Sequence, residues 1–479
     1  MSGGREQDAL GVLLPGFVGV ELPSWLERRL REGLAGVCLF GENIVDPEQV
    51  RALTDAIRAA NPAAIIAIDE EGGDVTRLHH ATGSPYPGNA VLGRLDDLHA
   101  TAAVAGAVAR ELAAAGVNLN FAPDVDVNSN PDNPVIGVRS FSDDPRRAAL
   151  HAAAWVSAHE AAGVAVSAKH FPGHGDTALD SHVALPVIDV SREVLIEREL
   201  APFRAAIAAG ARTVMSSHIL VPQLDATEPA TFSATILESM LRAELGFTGV
   251  IVTDALDMAG ASGEIGIPAA AVKAIAAGCD LLCIGTRNTD EQIDQLVAAL
   301  DRAVDDGGVP ASRLGEAAGR VRELAAGLEA TVPAGRPQPS GDDAPDLIAL
   351  AALRDTFDAS ATPAPGATVV TVETAANIAV GAAPWGLAAA GASVIRLTES
   401  DALPGGDGPL VIVGKANHRH PWVRDLIDRA RLTHPGSVAI DMGWPSPDRA
   451  YADIATFGGS RLIGRALRAE LEEAGVSAS

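Results

Sequence analysis

The chain has 479 residues, 47% of them hydrophobic, which is enough to bury large cores in two or more domains and excludes a globally disordered chain. Its formal net charge of -26 repels phosphate backbones and anionic bilayers, so nucleic acid and membrane surfaces are excluded as partners. The apolar run at residues 9–20 follows Glu6 and Asp8, is broken by Pro15 and Gly16, and precedes no small-residue cleavage site, so a cytoplasmic protein without a leader is expected.

Short apolar runs alternate along the chain with longer segments of helical periodicity. The expected strands are residues 11–14, 36–40, 65–68, 117–121, 164–168, 213–216, 250–253 and 281–284. Helical stripes are clearest at 47–60, 98–115, 192–209 and 291–304, with Asp96 or Asp97 available to cap the second. Eight strands alternating with helices predict an α/β fold of the (β/α)8 TIM-barrel type over residues 1–330, a doubly wound open sheet being the alternative. Cys38, Cys279 and Cys283 each sit in an apolar run and read as reduced core residues. Residues 331–345, TVPAGRPQPSGDDAP, carry no periodicity and read as a linker. Beyond it the runs TVVTVE, ASVIRL, PLVIVG and SVAIDMG, with helices at 422–433 and 460–474, predict a second, smaller α/β domain over 346–479.

Polar residues follow the expected strands: Asp69, Asp124, Lys169 with His170, His218 and Asp254. A barrel gathers such positions on the C-terminal face of its strands, where chemistry resides in essentially every characterised case. Lysine is rare here, with Lys169, Lys273 and Lys415 the three among 36 basic residues, which singles out Lys169 within a motif.

Three clusters carry candidate chemistry. In KHFPGHGDTALDSHVALP, residues 169–186, Asp180 and His182 flank Ser181. A carboxylate that fixes the imidazole tautomer and raises its basicity suits a general acid/base near neutral pH. Zinc ligation by His170, His174 and His182 is the rival reading, opposed by cationic Lys169, and a solvated Gly/Pro loop is the plain one. In VIVTDALDM, Asp254 directly follows an apolar strand; it serves either as a helix N-cap or as a nucleophile toward an anomeric carbon, and Asp257 is the poorer candidate. In IIAIDEEGGDVTR, Asp69 can accept from vicinal hydroxyls and Arg77 can donate through its fork, or the two form a surface salt bridge.

These segments resemble bacterial β-N-acetylglucosaminidases of glycoside hydrolase family 3, the kind that act in peptidoglycan recycling. The resemblance runs from about Leu10 to Gly327 and rests on KHFPGHGDT followed by DSH, on LFGENI at 39–44, NPVIGVRSF at 133–141 and AGCDLLCIG at 277–285. It implies Asp254 as nucleophile, His182 as acid/base with Asp180 as its partner, and Asp69, Arg77, Arg139, Lys169 and His170 as sugar-binding residues. It also implies that the second domain is an α/β sandwich that need supply no catalytic group, and that no metal or organic cofactor is required. The expected substrate is a small carbohydrate with a terminal β-linked N-acetylglucosamine, cleaved with retention through a covalent glycosyl-enzyme.

A neutral imidazole in place of a second carboxylate would admit inorganic phosphate as an alternative acceptor, giving a β-N-acetylglucosaminide phosphorylase. A metal-dependent hydrolase using His170, His174, His182 and Asp254 predicts chelator sensitivity, and a non-catalytic carbohydrate-binding protein predicts indifference to loss of Asp254. The sequence departs from relatives in reading DEEGGDV for DQEGGRV, so Glu70 and Asp74 are expected to make the surroundings of Asp69 more negative.

Overall fold

The structure is a computed structural model and describes residues 2–179, 185–263, 265–329, 347–375 and 379–477. The described residues up to 329 hold eight parallel strands: β1 (Leu13–Pro15), β2 (Gly36–Leu39), β3 (Ile65–Ile68), β4 (Leu119–Asn120), β5 (Ala165–Phe171), β6 (Thr213–Ser216), β7 (Val250–Thr253) and β8 (Leu282–Gly285). Strands β2 to β7 pair in chain order, and β8 pairs in parallel with β1. A parallel bridge from Val252 to Leu281 ties β7 to the start of β8, and the Ala35 amide reaches the Leu10 carbonyl at the foot of β1 and β2. The sheet is therefore strongly curled.

Strand alternation sorts the side chains between two cores. Leu14, Cys38, Ile65, Ala67, Leu119, Ala165, Met215, Val252 and Cys283 pack together inside the curl, while Val37, Ile66, Ile68 and Val166 meet the helices outside. Val321, Leu324 and Leu328 of helix Ala311–Glu329 join the inner core beside Ala35 and Ala63, so that helix covers the end where the strands begin. All three cysteines are buried thiols.

The outer helices begin where the sequence supplies caps. Asp46 accepts from the Gln49 amide ahead of Pro47–Ala60, Asp97 from His99 and Ala100 ahead of Leu98–Ala115, and Thr289 with Gln292 forms a reciprocal box ahead of Asp290–Asp305. Asp96, the other candidate cap, ends the preceding helix instead. Three expected elements differ in detail. The helix expected at 192–209 contains a π turn, Leu195–Glu199, just before Pro202, whose missing amide cannot continue the regular ladder. Strand β4 is only two residues long, shorter than the expected run at 117–121. Strand β5 runs on to Phe171 through a register shift between Ala168 and Phe171, so Lys169 and His170 lie within the strand rather than after it.

The described residues from 347 to 477 carry a second sheet of six strands: β9 (Asp358–Ala359), β10 (Thr368–Val372), β11 (Ile395–Leu397), β12 (Leu410–Gly414), β13 (Val438–Asp441) and β14 (Ile454–Ala455). The order is β11-β10-β12-β13-β14-β9, parallel except for the final β14–β9 pair. Helix Pro421–Thr433 covers one face through Val423, Leu426 and Ile427, and Arg461–Glu473 covers the other through Ile463, Ala466 and Leu467. The expected linker at 331–345 lies outside the described residues.

Polar ties join the two sheets. Asp74 pairs with Lys415 Nζ at 2.6 Å and accepts from the Gly459 amide at 2.7 Å, and Arg94 donates to the Thr356 carbonyl at 2.7 Å. No helix among the described residues is long and apolar enough to cross a membrane.

Candidate active site

A cavity of about 330 Å³ opens at the C-terminal ends of the first eight strands. Asp69, Arg77, Arg139, Lys169, His170 and Asp254, six of the residues expected from the sequence, all line it. Asp180 and His182, the expected acid/base dyad, lie outside the described residues.

The cavity floor is a buried ionic network. Lys169 Nζ, 2% exposed, lies 2.7 Å from Asp69 Oδ1 and 2.8 Å from Glu71 Oε1. Arg139 binds Glu71 with both arms of its fork, at 2.7 and 3.0 Å, and its Nε lies 3.5 Å from Asp124. Burial alone would push Glu71 up, but the two cations outweigh it and hold this carboxyl well below the usual range. Asp124, fully buried and beside Asp126, is pushed well above its usual range by burial and then by that neighbour. Asp124 and Glu71 thus share one guanidinium with opposite protonation tendencies.

His170 is oriented by Asp126, whose Oδ2 meets the imidazole Nδ1 at 2.7 Å. Burial raises Asp126, yet His170 outweighs it and leaves the carboxyl lowered. Nε2 of His170 faces the cavity and lies 3.4 Å from Arg139 Nη2. Asp124, Asp126 and His170 are the group among the described residues whose ligand atoms lie close enough to hold a metal ion. The Arg139 guanidinium already stands against Asp124 and His170, and it makes this donor set a poor fit for a divalent cation.

His174 belongs to the same wall. Its Nδ1 lies 2.9 Å from Thr177 Oγ1, and burial, then His170, lower it to about 4, so it is neutral at pH 7. Beneath the loop, a Cβ at Gly173 (φ 127) would strike the Glu199 side chain. Glu199 is 1% exposed, and burial raises it to about 7 against the partial offset of Arg198 at 2.6 Å. A folded pKa above the ordinary 4.5 means stability that is complete below about pH 4.5 and is lost as pH rises to about 7. Relative to Glu199→Gln, the wild type is therefore expected to lose about 3 kcal/mol of stability between pH 4.5 and 8 in urea unfolding, and a parallel pH dependence of the two proteins would contradict this.

Asp254 stands at the end of β7, half-buried, with Oδ1 accepting from the Ala255 amide at 2.7 Å and its own amide donating to the Ser216 carbonyl. Asp257, the poorer candidate, also lines the cavity and accepts from the Thr286 amide at 2.9 Å. His218 does not reach the cavity: fully buried, it spans Thr231 Oγ1 and the Ala255 carbonyl at 3.0 and 3.1 Å, and so braces the turn after Asp254.

Arg77 lines the cavity beside Asp69 and makes a long ion pair with it at 3.9 Å; its Nη2 also donates to the Ala379 carbonyl at 2.8 Å, and Lys169 makes the close contact with Asp69. One expectation around Asp69 is corrected: its surroundings are not made more negative by Glu70 and Asp74. Glu70 is fully buried away from the cavity, accepting from the Arg77 and Leu78 amides and raised by burial, and Asp74 is neutralised by Lys415.

Glu71 and Asp126 were not singled out by their sequence setting. Glu71 adjoins Glu70 in DEEGGDV, and nothing local says which of two neighbouring carboxylates turns inward. Asp126 lies in the segment after β4, and its partner His170 is 44 residues away.

The glycosyl hydrolase family 3 N terminal domain model matches residues 23–324. The beta-hexosaminidase A of Pseudoalteromonas piscicida is 38% identical over 328 residues, which span 63% of this chain and 55% of that protein. Among solved structures, a glycoside hydrolase family 3 beta-N-acetylglucosaminidase from Paenibacillus sp. str. FPU-7 superposes with a TM-score of 0.86 at 30% identity, covering 98% of this chain and 97% of that one. NagZ from Neisseria gonorrhoeae, solved in complex with N-trifluoroacetyl-D-glucosamine, superposes with a TM-score of 0.54 at 32% identity, over 66% of this chain and 98% of its own.

Proposed function

We infer the activity from one premise: the chain belongs to glycosyl hydrolase family 3. It is a glycoside hydrolase with a carbohydrate substrate, and it removes terminal β-linked N-acetylglucosamine. The observation that carries this reading is the placement of Asp254 in the same cavity as the Lys169, Asp69, Glu71 and Arg139 network, which offers donors and acceptors for sugar hydroxyls.

In this reading the curled sheet is a closed (β/α)8 barrel over residues 1–330, supported by the β1–β8 pairing, and residues 346–479 form the α/β sandwich domain. Asp254 attacks the anomeric carbon while His182, steadied by Asp180, protonates the departing oxygen. The bond from carbon to the aglycone breaks as the bond to the Asp254 carboxylate forms. Water, deprotonated by His182, then displaces the carboxylate from the opposite face, and two inversions return the β configuration. Lys169, Asp69, Arg139 and His170 hold the sugar, with Asp126 fixing the His170 ring. The reading places the enzyme in the cytoplasm, acting on fragments derived from the cell wall.

The test is incubation with p-nitrophenyl β-N-acetylglucosaminide, with and without phosphate. Release of nitrophenol and β-N-acetylglucosamine in both conditions is expected. A phosphate-dependent shift to the β-sugar 1-phosphate would identify a phosphorylase using the same nucleophile, and absence of any release would contradict the glycosidase reading.

A further inference from the structure

The chain between β3 and helix Asn89–Leu95 carries Asp69, Glu71 and Arg77, three side chains that line the active cavity. Asp74 lies among them in sequence, is 5% exposed, and bonds to the second sheet instead. Its Oδ2 takes Lys415 Nζ at 2.6 Å, directly after β12, and its Oδ1 accepts from the Gly459 amide at 2.7 Å, just ahead of helix Arg461–Glu473. The turn that holds Asp74 is tightly closed. The Glu70 carboxylate accepts from the Arg77 and Leu78 amides, each at 2.9 Å, and the Glu71 amide donates to the Val75 carbonyl at 3.1 Å. A displacement at Asp74 is therefore carried to Arg77, three residues on.

The second sheet also reaches Arg77 directly. Its Nη2 donates to the Ala379 carbonyl at 2.8 Å and its Nη1 to the Val380 carbonyl at 3.4 Å, and Ala379 itself lines the active cavity. Two carbonyls orient the guanidinium beside Asp69 without neutralising it. The Asp74–Lys415 pair is built to hold this contact. A Cβ at Gly459 would stand 2.4 Å from Lys415 Cε and 2.9 Å from its Nζ, so the lysine reaches Asp74 across a residue that has no side chain. Lys415 also lies over the Trp385 ring at 4.9 Å. An arginine at position 74, as in DQEGGRV, would meet Lys415 with like charge, so the departure DEEGGDV and one of the three lysines of the chain form a matched pair.

We propose that Asp74 and Lys415 are positioning residues for the sugar cavity: their ion pair seats the second sheet against the Glu70–Leu78 turn, so that the Ala379 and Val380 carbonyls fix Arg77 beside Asp69. Neither residue of the pair lines the cavity, and both act through Arg77. The inference rests on the glycosidase reading, with Arg77 among the sugar-binding residues, and gives the second sheet a part in holding the terminal sugar.

The test measures KM and kcat of the full-length protein on p-nitrophenyl β-N-acetylglucosaminide. Lys415→Met keeps the length of the side chain over Trp385 and removes the charge; it is expected to raise KM by roughly tenfold with kcat within about twofold of wild type. Gly459→Ala, which displaces Lys415 from Asp74, is expected to raise KM in the same direction, whereas Lys415→Arg keeps the pair and is expected to hold KM within about threefold. A smaller folded fraction would lower kcat and leave KM alone, so the split separates positioning from stability. In an Arg77→Gln background, Lys415→Met is expected to change KM by less than about twofold, because the residue through which it acts is gone. An unchanged KM in both Lys415→Met and Gly459→Ala, or a full additional loss in the Arg77→Gln background, overturns the inference alone. A wild type that cleaves nothing overturns the glycosidase reading together with it.

Discussion

Replacing Asp254 by asparagine is expected to lower kcat/KM on an aryl β-N-acetylglucosaminide by about a thousandfold or more while leaving thermal stability within about 1 kcal/mol of wild type. Asparagine keeps the Oδ1 acceptor used by the Ala255 amide at 2.7 Å, so the turn after β7 is preserved and the missing property is nucleophilicity. Asp254→Gly extends the test. Azide can enter the face vacated by the carboxylate, so added azide is expected to restore release and to yield the α-glycosyl azide after a single inversion. A wild type that binds sugar without turnover, or an asparagine variant of near-native rate, would favour a binding protein or another nucleophile.

The second large effect is expected at Glu71. This carboxylate is 4% exposed and neutralises Lys169 at 2.8 Å and Arg139 at 2.7 Å, so Glu71→Gln leaves two buried cations short of compensation. A loss of about 3 to 5 kcal/mol is expected, the range for breaking a buried ion pair by removing one partner. The pH dependence has a definite sign. Its folded pKa is depressed, so its contribution is complete above the unfolded value near 4.5 and is lost as pH falls below that toward the folded value. Urea unfolding at pH 7 should therefore show the full gap between wild type and variant, and the gap should narrow in strong acid. A gap that is small at pH 7, or that widens on acidification, would mean that Glu71 does not carry the network's charge balance. Sugar binding should weaken as well, because Lys169 and Arg139 lose the partner that positions them.

The parts of this arrangement legible in the sequence share a physical property: they are local. Buried parallel strands are written as four-residue apolar runs, and β3, β6 and β7 begin and end where those runs do. Helices announce themselves through caps such as Asp97 and the Thr289–Gln292 pair. The edge strand β9 and its neighbour β14, of two residues each, are too short to leave a pattern. The candidate site followed the same division. Lys169, His170 and Asp254 were visible because strand ends carry chemistry, and Arg139 because its segment resembles a family motif.

What remained hidden were pairings between distant segments. The Asp74–Lys415 bond joins residues 341 positions apart and gives a structural use to the aspartate that looked like an unfavourable charge. Likewise, Glu71 and Asp126 acquire their roles only when β3, β4 and β5 come side by side and bring Lys169 and His170 to them.

The central claim is that the reaction passes through a glycosyl-enzyme on Asp254. The direct measurement is incubation of the wild-type protein with a slowly turned over 5-fluoro derivative of N-acetylglucosaminyl fluoride, followed by proteolysis and mass spectrometry of the labelled peptide. The account predicts one covalently bound sugar, on the carboxylate of Asp254. Label on Asp69 or Asp257, or turnover with no covalent adduct, would contradict it.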